Sequence, residues 1–215
     1  MTSDDLFAVA VTDTISLGTQ AFLLRGFAGT GVTELLRTIE TITTTAPFRN
    51  MQTPGGYMMS AAMSSCGELG WVADTRGYRY TDVDPLSNKP WPVMPGSFQQ
   101  LAFAAAAAAG LANFHPDACL INRYEPGARM SLHQDKDEQD FSQPIVSVSL
   151  GLPMIFLFGG LKRKDKPQRI ELQHGDVVVW GGEDRLRYHG VAALKKGEHP
   201  LLGRCRINLT FRKAG

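Results

Sequence analysis

Two histidines and an aspartate are the residues of this sequence whose types and spacing best fit metal chemistry. His133 and Asp135 stand two apart in LHQDKD, and His189 follows in RYHG. Residues i and i+2 of an extended strand point to the same side, so one strand can present both His133 and Asp135 to an ion. Two imidazoles and one carboxylate form the facial triad that holds Fe(II) and leaves coordination positions open. The pattern predicts an Fe(II) site whose open face takes a co-substrate and O2.

An H-x-D pair alone is more often a surface feature, and the segment RINLTFR near the end of the sequence supports the metal assignment. Its polar residues Arg206, Asn208, Thr210 and Arg212 alternate strictly with apolar ones, which predicts a strand with one polar face. A half-exposed strand would show the same alternation. The segment follows His189, however, and contains no acid that could pair with either arginine. Because a guanidinium fits a carboxylate bidentately, the face suits a dicarboxylate such as 2-oxoglutarate.

A second polar pair lies in the otherwise apolar stretch ACLINRY. Asn122 and Tyr124 have the same parity and therefore share a face. Polar groups that point into a barrel are costly unless they are paired. A buried ligand is the simplest explanation, and we expect both residues in the co-substrate site.

At this point the chain resembles the bacterial AlkB family of Fe(II)/2-oxoglutarate-dependent nucleic-acid dealkylases. The resemblance extends from about Pro47 to Arg212. It is carried by MQTPGGYMMSAAMSSCGELGW, NKPWP, PDACLINRYEPGARMSLHQDKDE, IVSVSLGLP, FGGLKR, HGDVVVWGGEDRLRYHGV and CRINLTFR.

The resemblance implies an activity and a co-substrate site. The activity is oxidative demethylation of 1-methyladenine and 3-methylcytosine in single-stranded DNA, with RNA as an alternative, releasing formaldehyde, succinate and CO2. In the implied site Arg206 takes the distal carboxylate of 2-oxoglutarate. The residues that would complete this site are Asn122, Tyr124, Asn208, Thr210 and Arg212.

Residues for base recognition are expected in GWVADTRGYRY, which contains Trp71, Tyr78 and Tyr80. Such aromatics commonly pack beneath a loop. An enzyme that modifies a base must hold it outside the stack, and an aromatic face serves that purpose. The resemblance assigns this role to Trp71, with Met63 flanking the same pocket and Tyr78 as the next stacking candidate.

Charged residues near the predicted site offer further substrate contacts. Asp137 belongs to an acidic run that would ordinarily be solvated, but a carboxylate beside the base would favour a ring made cationic by alkylation. The run LKRKDK resembles a solvated hairpin tip and also suits phosphate contact. By resemblance Arg163 is its preferred member, and Thr53 and Lys136 are weaker candidates for backbone contact.

Composition restricts the class of protein. The 215 residues suit one domain, and 43% of them are hydrophobic, enough for an ordinary core. No apolar stretch could span a membrane, and no signal segment opens the chain. Three scattered cysteines suggest a reduced, cytoplasmic setting. The net charge of +1 excludes bulk coating of nucleic acid, so contact must be local. We expect a monomer.

The pattern of elements predicts a mainly β fold with flanking helices. We expect a double-stranded β-helix, or jelly roll, in residues 117–212 as the catalytic core, within a single domain 1–215. Residues 47–95, rich in Gly, Pro and aromatics, are expected to form hairpins of a nucleotide-recognition lid with the N-terminal helix. Helices are predicted from Gly31 to Thr45 and from a capping box at Ser97 to Gly110. Strands are expected at 21–27, 117–124, 130–135, 145–151, 154–158, 169–173, 176–180, 187–191 and 204–212.

Two other functions share these features. A 2-oxoglutarate oxygenase acting on a protein or a small molecule would use the same barrel. A non-enzymatic metal-binding jelly roll, or a nucleic-acid binder with an inactive iron site, would also retain the fold. Turnover of 2-oxoglutarate and its stimulation by alkylated oligonucleotide distinguish these possibilities.

Overall fold

The fold consists of two helices and antiparallel sheets. A computed structural model describes residues 13–215. The acidic opening MTSDDLF, from which the sequence predicts no signal segment, lies outside the described residues. The helices are α1 (Val32–Thr45) and α2 (Gly96–Ala108), with short 3-10 turns at Gly29–Gly31 and Gly182–Asp184.

The described strands fall into two groups along the chain. The first eight are β1 (Thr14–Ser16), β2 (Ala21–Leu24), β3 (Arg49–Gln52), β4 (Met58–Gly67), β5 (Gly70–Asp74), β6 (Gly77–Thr81), β7 (Val83–Asp84) and β8 (Lys89–Pro90). The second eight are β9 (Ala118–Tyr124), β10 (Met130–His133), β11 (Ile145–Gly151), β12 (Met154–Phe158), β13 (Gln168–Leu172), β14 (Val177–Trp180), β15 (His189–Val191) and β16 (Arg206–Arg212).

Two packed sheets form the body of the protein. The major sheet has the order β1-β2-β14-β11-β16-β9-β4-β3, and the minor sheet has the order β10-β15-β12-β13. The hairpins β5-β6 and β7-β8 are not hydrogen-bonded to either sheet. Together with two flanking helices, this arrangement confirms the predicted jelly roll.

The pleat of the major sheet separates two hydrophobic cores. Ile121 and Leu209 pack with residues of α1 and α2, in the core between the helices and the sheet. Leu120 and Tyr124, which have the opposite parity, pack with Phe156 and other residues of the minor sheet. Because side chains alternate across a strand, the polar residues of β9 and β16 that share the parity of Tyr124 point into the space between the two sheets.

The helices agree with the predictions except at the start of α2. In α1, Val32, Leu35, Ile39 and Ile42 are buried along one stripe, as their spacing predicts. The prediction of a capping box at Ser97 is wrong. The helix α2 begins at Gly96, after Pro95, and no side chain caps its first N–H groups. Proline has no N–H of its own and pre-sets the chain for the following turn, so the helix begins without a hydroxyl cap.

Residues 47–95 join the catalytic core through sheet hydrogen bonds. Strand β4 pairs with β9 from Ala62–Arg123 to Gly67–Ala118, and β3 extends the same sheet. The hairpin β5-β6 packs against β3, β4 and β9 and carries the predicted aromatics. Among the described residues, no helix is long and apolar enough to cross a membrane.

Candidate active site

The three predicted metal ligands come together between β10 and β15. His133 ends β10 and pairs across the minor sheet with His189, the first residue of β15. The ligand atoms of His133, Asp135 and His189 lie within 4.8 Å of one another. The prediction that one strand presents both His133 and Asp135 is wrong, because β10 ends at His133 and Asp135 lies beyond it. The path of the chain after β10, and not the pleat of one strand, brings the carboxylate to the histidines.

Both histidines are oriented by the backbone for metal binding. The Nδ1 atom of His133 lies 2.9 Å from the carbonyl oxygen of Ser131, and the Nδ1 of His189 lies 3.1 Å from that of Arg187. A carbonyl only accepts, so each Nδ1 carries the proton and each Nε2 keeps a free lone pair. The two Nε2 atoms lie 3.6 Å from oxygens of Asp135.

Electrostatics keep His133 in the neutral form that a metal requires. Although 34% of the His133 side chain remains exposed, burial and then the neighbouring His189 lower the pKa of His133 to about 4. The imidazole is therefore neutral near pH 7 and ready to bind an ion without first losing a proton.

Asp135 is held as a carboxylate by Arg212. The Nε and Nη2 atoms of Arg212 donate to Oδ2 of Asp135 at 2.9 and 2.7 Å. Burial opposes ionisation of Asp135, but Arg212 and the two histidines outweigh it and hold its pKa well below the usual range. The segment RINLTFR contains no acid that could pair with Arg212, but in the folded protein Asp135 is its partner. In this structure Arg212 lies at the metal end of the site.

The sequence did not predict the contacts that Glu138, Arg185 and Tyr80 make around Asp135. Glu138 lies in a run read as solvated, but its side chain is only 2% exposed. It accepts hydrogen bonds from Arg185 at 3.2 Å and from the Tyr80 hydroxyl at 2.7 Å. Arg185 also donates to the backbone carbonyl of Asp135 at 2.8 Å. Arg185 and Tyr80 reach Glu138 from distant parts of the chain, so only the fold identifies these partners.

Arg206 is a buried cation without an acidic partner among the described residues. The residue is 1% exposed, and its Nη2 atom donates to the hydroxyl of Ser149 at 2.9 Å. Its Nε and Nη1 atoms are buried and have no hydrogen-bond partner. Its guanidinium lies 5.3 Å from the ring centre of Tyr124, which is its cross-strand neighbour. Such donors are costly to bury unless a ligand satisfies them.

The remaining polar residues line the same inner face. Asn208 donates to the Ser147 hydroxyl at 2.8 Å and accepts from the Thr210 hydroxyl at 2.9 Å. Asn122 pairs with Asn208 across the strands, and its Oδ1 atom is buried without a partner. The half-exposed alternative for β16 is excluded, because all seven of its residues are buried.

This donor set fits Fe(II) and 2-oxoglutarate. Two neutral imidazoles and an ionised carboxylate match the facial triad. The guanidinium of Arg206, two of whose nitrogens lack a partner, lies at the far end of β16 from Arg212 and the triad. The distal carboxylate of a metal-chelating dicarboxylate would need a cation there.

An aromatic pair stands on the hairpin β5-β6. The rings of Trp71 and Tyr78 stack with centres 5.5 Å apart and planes 14° from parallel. Trp71 Nε1 donates to Asp137 at 2.9 Å, which ties the hairpin to the segment that follows the metal ligands. Tyr78 is 47% exposed, whereas Met63 is fully buried in the core against which Trp71 packs. Met63 therefore lies among the core residues, and Tyr78 offers the exposed ring.

The three candidates for contact with the nucleic-acid backbone lie on separate surface loops. Thr53 is half-buried in the turn between β3 and β4, where its hydroxyl accepts from the N–H of Tyr57 at 3.1 Å. Arg163 is exposed in the loop between β12 and β13, with its guanidinium 6.0 Å from the ring centre of Tyr188. Lys136, the other weak candidate, is exposed.

Comparisons with known proteins identify the family of this chain. The family model of the 2OG-Fe(II) oxygenase superfamily matches residues 20–212. The chain is 59% identical to the alpha-ketoglutarate-dependent dioxygenase AlkB of Escherichia coli over 98% of both chains. It is 45% identical to an AlkB homolog of Caulobacter vibrioides over 79% of this chain and 76% of the relative.

Solved structures and a mammalian relative extend the similarity. The structure of OsALKBH1 superposes with a TM-score of 0.83 at 28% identity, covering 94% of this chain and all of that one. The nucleic acid dioxygenase ALKBH1 of Homo sapiens is 34% identical over 58% of this chain and 32% of its own length. The chain therefore belongs to the AlkB family of the 2OG-Fe(II) oxygenase superfamily, whose members use Fe(II), 2-oxoglutarate and O2.

Proposed function

We propose that this dioxygenase oxidatively demethylates alkylated bases, such as 1-methyladenine and 3-methylcytosine, in single-stranded DNA. One observation carries the proposal: the half-buried Trp71, stacked on the exposed Tyr78, donates a hydrogen bond to Asp137, two residues from the metal ligand Asp135. The position of this stack would bring a base close to the metal. Relatives named nucleic acid dioxygenase and DNA N(6)-methyladenine demethylase support a base as the substrate.

The residues of the co-substrate site define where each reactant binds. His133, Asp135 and His189 would hold Fe(II), which when bound supplies with 2-oxoglutarate and O2 the oxidation of a methyl C–H bond. We assign the distal carboxylate of 2-oxoglutarate to the unpartnered donors of Arg206. The polar neighbours that would complete the site are Asn122, Tyr124, Asn208, Thr210 and Arg212. The products are succinate, CO2, formaldehyde and the restored base, so the reaction is direct-reversal repair.

The hairpin would select the lesion by stacking and by charge. An extracted base can stack on the exposed ring of Tyr78 or against Trp71, since stacking is indifferent to base identity. Methylation at N1 of adenine or N3 of cytosine makes the ring cationic. The exposed carboxylate of Asp137 lies beside the indole and would favour that charge over a neutral base. Met63 supports this pocket from the core beneath.

Sequence-independent contacts would come from loops. Arg163 lies in an exposed loop together with Lys162, Lys164 and Lys166, and the Thr53 hydroxyl can still donate to a phosphate. Because the net charge of the chain is only +1, the electrostatic attraction to nucleic acid would come from these local contacts. In this proposal residues 47–95 form the recognition lid of one domain whose catalytic core is 117–212.

The proposed working form is a cytoplasmic monomer. One chain supplies every residue that we assign to the iron, co-substrate and base sites. All three cysteines carry free thiols, which agrees with a reducing compartment. Light scattering of the purified enzyme tests the monomer, and fractionation of cells tests the location.

Mass spectrometry of methylated single strands tests the activity. The protein is incubated with Fe(II), 2-oxoglutarate, ascorbate and an oligonucleotide that contains one 1-methyladenine or 3-methylcytosine. We expect a loss of 14 mass units per lesion, roughly the mass of one CH2, with matching succinate and formaldehyde. A methylated RNA strand in parallel determines the preference between nucleic acids. Succinate formation that no methylated strand stimulates would instead favour a protein or small-molecule substrate, and His189→Ala is the inactive control.

A further inference from the structure

The short segment after β10 connects the metal site to the base-recognition hairpin through three carboxylates. Asp135 is the metal ligand. Asp137 accepts from Trp71, and Glu138 accepts from Tyr80. Trp71 on β5 lies directly opposite Tyr80 on β6. The aromatic side of the hairpin is therefore attached at two adjacent points to the chain that carries a metal ligand.

Glu138 is the center of a buried polar network. Its Oε1 atom accepts from the Tyr80 hydroxyl at 2.7 Å and lies 3.3 Å from Nε of Arg212. Its Oε2 atom accepts from Arg185 at 3.2 Å. Arg212 in turn donates to the metal ligand Asp135. A continuous path of contacts therefore runs from the hairpin tyrosine through Glu138 and Arg212 to Asp135.

The network has little freedom to rearrange. The side chains of Glu138, Arg185 and Arg212 are 2%, 3% and 7% exposed. Burial raises the pKa of Tyr80 well above its ordinary value, so its hydroxyl keeps the proton that it donates. Losing one partner from a buried charged network leaves the others unpaired at low dielectric, which is costly. A displacement of Tyr80 therefore has to be transmitted to the charges around Asp135.

We propose that Glu138 is a positioning residue that couples base binding on the β5-β6 hairpin to the metal ligand Asp135. A base stacked on Trp71 and Tyr78 restrains the half-buried Tyr80. The otherwise rigid network carries that restraint through Glu138 and Arg212 to the Asp135 carboxylate. Coupling between two sites is reciprocal, so a methylated strand strengthens metal binding by the factor by which metal strengthens binding of the strand. This inference rests on the proposed function, because it requires the hairpin to bind a base.

The test measures affinity for Mn(II), a probe that needs no turnover. Mn(II) is titrated calorimetrically into the protein with saturating 2-oxoglutarate, with and without a short single strand containing one 1-methyladenine. The same strand without the methyl group is the ligand control. For the wild type we expect the methylated strand to lower the Kd for Mn(II) by about fivefold or more, the usual lower range of allosteric coupling.

Three variants locate the coupling. Tyr80→Phe removes only the hydroxyl and keeps the buried ion pairs, so the fold should persist while the coupling falls to within about twofold. Glu138→Gln should lose the coupling and also weaken Mn(II) binding in the absence of DNA. Asp140→Asn removes an exposed carboxylate on the same segment whose bond is to the N–H of Ser142, and it should couple like the wild type. If Glu138→Gln does not fold, Tyr80→Phe still decides.

The outcomes separate this inference from the proposed function. Fluorescence anisotropy of a labelled strand reports DNA binding in the same buffer. If the methylated strand does not bind the wild type, the proposed function fails, and this inference fails with it. If the strand binds but leaves the Kd for Mn(II) unchanged, or if Tyr80→Phe couples as strongly as the wild type, the inference alone is overturned.

Discussion

Replacing Arg206 by methionine should weaken 2-oxoglutarate binding without destabilising the protein. The guanidinium is buried, two of its nitrogens have no partner, and its one side-chain hydrogen bond goes to the Ser149 hydroxyl. Burying a cation without an acid opposes folding. Methionine is flexible and fills a similar volume beside Tyr124. We therefore expect the ligand-free variant to unfold in urea at the same concentration as the wild type, or at a higher one.

The loss of affinity follows from the contact that is removed. A hydrogen bond to a charged group contributes about 1.5–3 kcal/mol, so the Kd for 2-oxoglutarate should rise roughly ten- to over a hundredfold. At 2-oxoglutarate concentrations near 100 times the wild-type Kd, the ligand stabilises the wild type by about 2.7 kcal/mol. After a hundredfold loss of affinity, the same concentration stabilises the variant by only about 0.4 kcal/mol.

The assay is urea unfolding with and without 2-oxoglutarate, in the presence of Mn(II). Arg212→Met is the matched control, because Arg212 is also buried but pairs with Asp135 and Glu138. Its removal leaves buried carboxylates short of a partner and should cost about 3–5 kcal/mol without any ligand. Equal destabilisation by the two substitutions, or an unchanged response of Arg206→Met to 2-oxoglutarate, would refute the assignment of Arg206.

Further predictions concern the metal and the base. His189→Ala should abolish demethylation while the circular dichroism spectrum remains that of a folded protein, because the hydrophobic cores do not depend on the metal. Zn(II) should occupy the wild-type site without supporting turnover, since zinc has no redox chemistry. Trp71→Ala should weaken binding of all methylated single strands by about 1–3 kcal/mol in anisotropy titrations; an unchanged Kd would assign Trp71 to packing of the hairpin alone. Asp137→Ala should reduce the preference for 1-methyladenine and 3-methylcytosine over neutral 3-methylthymine in competition at one fixed salt concentration; an equal slowing of all three lesions would contradict recognition of charge.

Several features could be predicted because they depend on local chemistry. The strict alternation in β16 places Arg206 and Asn208 on one face, since successive side chains of a strand point to opposite sides. The helical spacing from Val32 to Ile42 defines the buried stripe of α1 in the same way. Residue type predicts the ligands: two histidines and an aspartate suit iron, and an arginine without a nearby acid suits a carboxylate.

Other features depended on contacts between distant parts of the chain. Arg185 and Tyr80 meet Glu138 from 47 and 58 positions away, so neither partnership leaves a periodic trace in the sequence. The start of α2 at Gly96 reflects the backbone at Pro95, where a side-chain pattern suggested Ser97.

From the sequence alone we predicted which residues bind metal and co-substrate, and which face of β9 and β16 the co-substrate residues occupy. Those properties follow from residue chemistry and from the period of the backbone. Three features became evident from the folded chain. Asp135 approaches the histidines from beyond β10, Arg212 donates to Asp135, and Arg206 is the one of the two arginines that has no acidic partner among the described residues. The physical reason is that a charge finds its partner through the folded path of the whole chain, which no local pattern encodes.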